Sequence, residues 1–299
     1  MKHRRLSYIN SKNEMVDFNP ESIEVFLFEL TGVGFSYFND ISDTNYQNVR
    51  RLKSSRNETN EITGSLEIIN YTNKSIYLDE KRISTILNYD QLVARENTNV
   101  YGKLVYENET GNKLWIPCLI KNFIFGETND EDGYLKLPIE LSFDRLTRIW
   151  YSYIPLEYVF ELEGGTGHGH SFRHPYSHMV PAGFGNVGIV SGNDLAKFYL
   201  EIYGPFSPFS LTFVNEQAKE EKKIVYADNV EEGEVLIIDN FKLSITKNNK
   251  VAMEGIDLVE GNSPFFDLKP NTQYSFIFDA DILNGKVKMQ IFEGWVSVW

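Results

Sequence analysis

A mainly β chain of two domains, the first carrying one packed helix, is what this 299-residue sequence predicts. Three observations carry that expectation. Short runs rich in Val, Ile, Phe and Tyr recur along the whole chain, separated by clusters of Asn, Gly and Asp, the pattern of antiparallel strands and their turns. One segment, Ser75 to Val93, changes the apolar period from about two to about 3.6. The length exceeds the usual size of a single core, so two cores are expected.

In the first half, the strand-like runs are IEVFLFEL (Ile23–Leu30), TGSLEIIN (Thr63–Asn70), VYGKLVYE (Val100–Glu107), LWIPCLIKNFIF (Leu114–Phe125) and LKLPIELSF (Leu135–Phe143). They predict an antiparallel, β-sandwich-like domain. Within Ser75–Val93, Ile83, Ile86 and Leu87 recur at helical spacing after Asp79, read here as an N-cap, so one amphipathic helix is expected on the sheet. Between Asn45 and Asn60 runs NYQNVRRLKSSRNETN, with Arg50, Arg51, Lys53 and Arg56 and hardly any large apolar residue. It reads as an exposed arm, either a solvated loop or an arm reaching a neighbouring subunit, and these four cations are the candidate inter-subunit contacts. Cys118, the one cysteine, lies in an apolar run and reads as a small buried hydrophobe; a disulfide scaffold is excluded.

A Gly- and His-rich stretch from Glu163 to Asn186 follows, and then a second series of strand-like runs: VGIVSGN, LAKFYLEIYG, FSLTFVN, KIVYADNV, EVLIIDN, FKLSIT, YSFIFDAD and KVKMQIFEGWVSVW. Turn signals at Asn248–Asn249 and Asn284–Gly285 separate them at spacings expected of a sandwich. The boundary is placed between Tyr153 and Gly165, giving domains 1–153 and 154–299. Trp295 and Trp299 are four apart and are expected on one strand face, in a core or an interface.

The net charge is −13, with 18 basic and 22 acidic residues up to position 150 and 11 basic and 20 acidic beyond it. That balance opposes specific or non-specific nucleic-acid binding, which needs a cationic surplus. No apolar run approaches the roughly 20 residues that span a bilayer. The N-terminal MKHRRLSYIN is followed by polar residues where a signal peptide needs its apolar stretch, so a cytoplasmically made, soluble product is expected.

Four of the five histidines fall in EGGTGHGHSFRHPYSHMVPAGFGN. His168 and His170, two apart, face one side of an extended chain and are the metal-ligand candidates. His174 and His178 have helical spacing, but Pro175 stands between them. No H-E-x-x-H arrangement, G-x-S-x-G elbow or P-loop is present, and GGTGHGH lacks the strand-to-helix setting of a dinucleotide site. The expectation is a polar, turn-rich loop with no cofactor and no enzymatic activity. Plentiful carboxylates leave a hydrolase open as a rival, with no pair singled out.

From that loop the chain continues HSFRHPYSHMVPAGFGNVGIVSGNDLAKFYLEIYGPFSPFSLTFVN. This resembles the distal tail protein (Dit) family of long-tailed phages infecting Gram-positive bacteria, in which an aromatic, Pro-Tyr-rich stretch, a short strand, an Asn turn and a strand ending in IYGP open the second domain. Here the motif residues are Tyr203, Gly204 and Pro205. Upstream, ITGSLEI, the LDEKRISTIL helix, VYGKLVY and FDRLTRIWYSY are similar to the family's first domain. Downstream, SPFFDLKPNTQYSFIF and GKVKMQIFEGWVSVW are similar to its closing strands.

The resemblance implies a structural baseplate component of a virion. Six copies of domain 1–153 would form a ring, a homo-hexamer joining the tail tube protein to the tail-tip hub protein and letting DNA pass. Domain 154–299 would be a galectin-like β-sandwich that docks a receptor-binding protein. The histidines occupy spacer positions in that comparison. A tail-like bacteriocin would use the same part, and the rival reading is a carbohydrate-binding module attaching a virion to the cell wall.

Overall fold

Alternation of buried and exposed side chains identifies many of the strands before any pairing is considered: β1 (Arg5–Ile9), for example, buries Leu6 and Tyr8 and turns its odd-numbered neighbours outward. The computed structural model describes residues 5–18, 25–33, 36–43, 50–58, 61–70, 76–96, 100–127, 129–131, 134–162, 184–257, 263–280 and 284–298. These fall into two units, Met1–Tyr153 with Trp295–Trp299, and Ile154–Gly294.

Unit 1 continues with β2 (Met15–Asp17), β3 (Val25–Thr31), β4 (Ser36–Asp43), β5 (Arg50–Glu58), β6 (Ile62–Asn70), α1 (Ile76–Ala94), β7 (Gly102–Glu107), β8 (Lys113–Phe125), β9 (Asn129–Glu131), β10 (Tyr134–Arg145) and β11 (Trp150–Ser152). The strands pair antiparallel in the order β2-β1-β7-β8-β10-β6-β3, with β11 following β10 along the same edge of β8 and β9 folded onto β10. One face packs against α1 through Ile83, Ile86 and Leu87, which join Leu66, Leu104, Ile116, Leu141 and Phe143 in one core. The helix begins at Ile76, so Asp79 sits in its first turn and is not the cap expected from the sequence. There its carboxylate still favours the positive end of the helix dipole. Strands β1 and β2 were not anticipated, because the polar turn between them, Ser11 to Glu14, masks their short period.

A buried polar contact pins the helix to β1. The Tyr8 hydroxyl donates to Asp90 Oδ2 at 2.6 Å and the Ser11 amide donates to Oδ1 at 2.9 Å, so both oxygens of a fully buried carboxylate are engaged. Burial, with Asp90 and Cys118 nearby, pushes the phenol well above its ordinary range. Cys118 is buried on β8, and burial likewise raises its thiol far from reactivity.

Unit 2 comprises β12 (Leu156–Leu162), β13 (Phe184–Val190), β14 (Asp194–Tyr203), β15 (Phe209–Asn215), β16 (Glu220–Tyr226), β17 (Val235–Asp239), β18 (Ser244–Lys247), β19 (Lys250–Val251), β20 (Ile256–Asp257), β21 (Thr272–Ala280) and β22 (Gly285–Trp295), the last residue of which belongs to unit 1. Two antiparallel sheets, β19-β18-β17-β14-β22-β12 and β13-β21-β15-β16-β20, enclose one core, which makes this unit a β-sandwich. The filling is aromatic: Phe160 stacks on Phe276 at 5.0 Å, and Phe198 meets Phe213 at 5.2 Å. Asn248 and Asn249, at φ of 50° and 64°, form the tight turn between β18 and β19 that their dipeptide predicts.

Candidate functional site

The cationic segment is a strand. Arg50, Arg51, Lys53 and Arg56 all lie on β5, which pairs antiparallel with β4, so the solvated-loop alternative is corrected to a two-stranded ribbon. Charged and polar side chains hid it, since a free-standing ribbon has no core face to impose alternation. Arg50 stands opposite Asp43, Arg51 opposite Ser42 and Arg56 opposite Phe38. Lys53 is the extra residue where the register shifts, because Leu52 faces Ile41 while Ser54 faces Asp40. Among the described residues the ribbon pairs with nothing else, which leaves both of its edges as rows of main-chain donors and acceptors.

This ribbon extends the hairpin β3–β6. The register of β3 on β6 shifts between Phe28 and Thr31, and the ribbon keeps the register of the last pair: Thr31 lies opposite Thr63 and Ser36 opposite Glu58, five positions further along each strand. At about 3.3 Å per residue the ribbon adds about 26 Å to the hairpin. Its root is cross-linked. The Thr31 and Thr63 hydroxyls meet at 2.6 Å, and Lys121 on β8 holds Glu61 at 2.6 Å, which keeps the Glu61 carboxyl below the usual range. Gly32, at φ 79°, crosses so close to the returning backbone before β6 that a Cβ would lie 2.0 Å from the Glu61 carbonyl oxygen. Buried Arg145 donates to the Gly32 carbonyl at 3.3 Å and to the Arg148 carbonyl at 2.7 Å, and burial lowers its guanidinium to about 10.

Further along the sheet, at the level where Phe125 pairs with Ile139 and Ile139 with Leu66, β8 ends in an apolar patch that the sequence did not single out. Ile124 and Phe125 are 51 % and 45 % exposed, with Phe125 edge-on to Phe123 at 5.1 Å. Apolar side chains on both faces of a strand end are a signal that periodicity alone reads as ordinary strand.

The motif Tyr203-Gly204-Pro205 sits where the chain leaves β14 for β15 in the other sheet. The Gly204–Pro205 peptide is cis, and a Cβ on Gly204 would lie 2.3 Å from the carbonyl oxygens of both Val230 and Glu231. Phe206 and Val230 then exchange amide hydrogen bonds of 2.8 and 3.0 Å. The role visible here is close backbone packing at a sheet-to-sheet crossing. The Tyr203 hydroxyl donates to Glu201 at 2.7 Å, which pushes the phenol up.

His168 and His170 lie outside the described residues. Among the described residues no three His, Cys, Asp or Glu side chains come together in a way that would hold a metal ion. Trp295 ends β22 and packs against the unit 1 core; Trp299, expected to share its strand face, lies outside the described residues. No described helix is long and apolar enough to cross a membrane.

No protein-family model matches the chain, and no curated protein matches it. Solved structures do. A chain of the phage p2 baseplate in its activated conformation with Ca matches with a TM-score of 0.65 and 14 % identity, covering 99 % of both chains. The same baseplate with Sr supplies a match of TM-score 0.61 and 13 % identity over 96 % of this chain and 97 % of the other. The Dit protein of phage SPP1, described as a paradigm of the hub adsorption apparatus in phages infecting Gram-positive bacteria, matches with a TM-score of 0.57 and 9 % identity over 97 % and 98 %. Over nearly its whole length this chain has the fold of phage baseplate and Dit hub proteins.

Proposed function

We propose that this protein is a structural, non-enzymatic subunit of a phage-type tail tip, in which six copies form a ring that joins the tail tube to the hub and lets DNA pass. The observation that carries this reading is the near-complete coverage of both chains in the match to the p2 baseplate chain, since a likeness over 99 % of a 299-residue chain is harder to reach by chance than one common sandwich. The geometry of unit 1 supports it. Among the described residues its sheet ends on two edges, β2 and β3, and its ribbon carries two more, and such unpaired edges can pair head-to-tail with a neighbouring copy, the kind of contact that closes into a ring. Arg50, Arg51, Lys53 and Arg56 on that ribbon would meet acidic surface on the next copy. Charge supports the channel: with 18 basic against 22 acidic residues up to position 150, unit 1 offers DNA no cationic surplus to bind. Unit 2 would dock further tail-tip proteins, a receptor-binding protein among them.

The mass of the purified protein tests the assembly. A ring of six, or two stacked sixes, is expected. A species that stays monomeric at high concentration, and still forms no ring when tube or hub protein is added, would overturn the reading.

A further inference from the structure

Unit 1 is discontinuous in sequence. Residues 1–153 supply its sheet, helix and ribbon, and the remaining piece, Trp295–Trp299, follows the whole of unit 2. Trp295 and Val298 pack against the unit 1 core, as do Leu30 and Val33 on either side of the ribbon root and Phe123 on β8. A tryptophan carries a large, mostly apolar surface, so even its partial burial against this core removes substantial apolar area from water.

Chain order gives that contact a consequence. A growing polypeptide presents the sheet, helix and ribbon first, the sandwich second, and the segment that finishes the first core last. Until it arrives, the apolar surface under Trp295 and Val298 is open in a unit that already carries unpaired strand edges, the condition under which partly made chains associate wrongly. We propose that residues 295–298 are a clasp: they complete the packing of unit 1, which becomes fully stable and competent to assemble only after unit 2 has been synthesised. The stability part stands on unit 1 alone; the assembly part rests on the ring proposed above.

The full chain carrying Trp295→Ala with Val298→Ala is compared with wild type and with the conservative Trp295→Phe, by thermal unfolding and by hydrogen exchange resolved to each unit. The double variant should lower the unit 1 midpoint by about 5 °C, speed exchange in β3 and β8, and leave unit 2 unchanged. Trp295→Phe should restore most of the loss. Unchanged exchange and midpoint in unit 1 would overturn the clasp whatever the oligomeric state. A destabilised unit 1 in a protein whose wild type never assembles would support the clasp and count against the ring. Timing is read on ribosome-bound chains: with residues 1–294 emerged, protease should cut within unit 1, and with 1–299 emerged it should not. Equal resistance would refute the timing.

Discussion

Replacing Tyr8 by Phe removes the hydroxyl that donates to Asp90 Oδ2 and leaves that oxygen unsatisfied in a dry core. The expected cost is about 1–3 kcal/mol of unfolding free energy, read from urea denaturation. A Cβ at Gly102 would stand 2.1 Å from the same hydroxyl, so Gly102→Ala should damage the same contact, and the double variant should cost less than the two changes added. Gly204→Ala places a methyl group against two carbonyl oxygens that belong to backbone, and an overpacking cost of about 1–3 kcal/mol is expected, confined to the unit 2 transition. For His168 and His170, the double replacement by Asn is expected to leave folding and assembly intact. Stoichiometric zinc in the purified protein that disappears in this variant would show a metal site instead.

The ribbon is the element on which assembly should depend. Charge reversal at Arg50, Arg51 and Arg56 should weaken association, read as a shift of the assembled fraction toward monomer, and added salt should narrow the difference between variant and wild type because ion pairs of this kind are screened. Its root should respond to acid. The Glu61 carboxyl is held low by Lys121, so the stabilisation is fully present above the carboxyl's unfolded value of 4.5 and is lost as pH falls through the lower folded value. Protection of the Thr31 and Gly32 amides, taken relative to the unfolded exchange rate at each pH, should therefore fall in acid, and Glu61→Gln should remove that dependence. An unchanged pH profile in Glu61→Gln would mean that the Thr31–Thr63 and Arg145 contacts hold the root without it.

At the scale of the molecule, two cores with separate residue sets should melt as two transitions in calorimetry. Made as a separate fragment, residues 154–294 should form a folded, acidic monomer, since all 11 basic and 20 acidic residues beyond position 150 lie in that unit. Residues 1–153 alone should be less stable than unit 1 in the intact chain, because Trp295 and Val298 are missing from the core. A fragment 154–294 that forms the ring by itself, or one that fails to fold, would break this division of roles.

Composition and period by themselves determined the mainly β class, the position of the helix, the burial of Cys118 and the Asn248–Asn249 turn, since each follows from local rules: apolar spacing, cysteine count, or tolerance of positive φ. The IYGP stretch and its neighbours carried the likeness to tail proteins, although no local rule explains those residues; the close approach of Gly204 to the Val230–Glu231 carbonyls does. Three things were decided only in three dimensions. Whether Arg50 to Arg56 form a loop or a strand depends on pairing with Ser36–Asp43, and pairing between polar strands leaves no periodic trace. The engagement of Asp90 depends on Tyr8 and Ser11, about 80 residues away in the chain. The last residues were assigned by continuity to the second domain and belong to the first, because burial of Trp295 is governed by which core lies nearest and not by position along the chain.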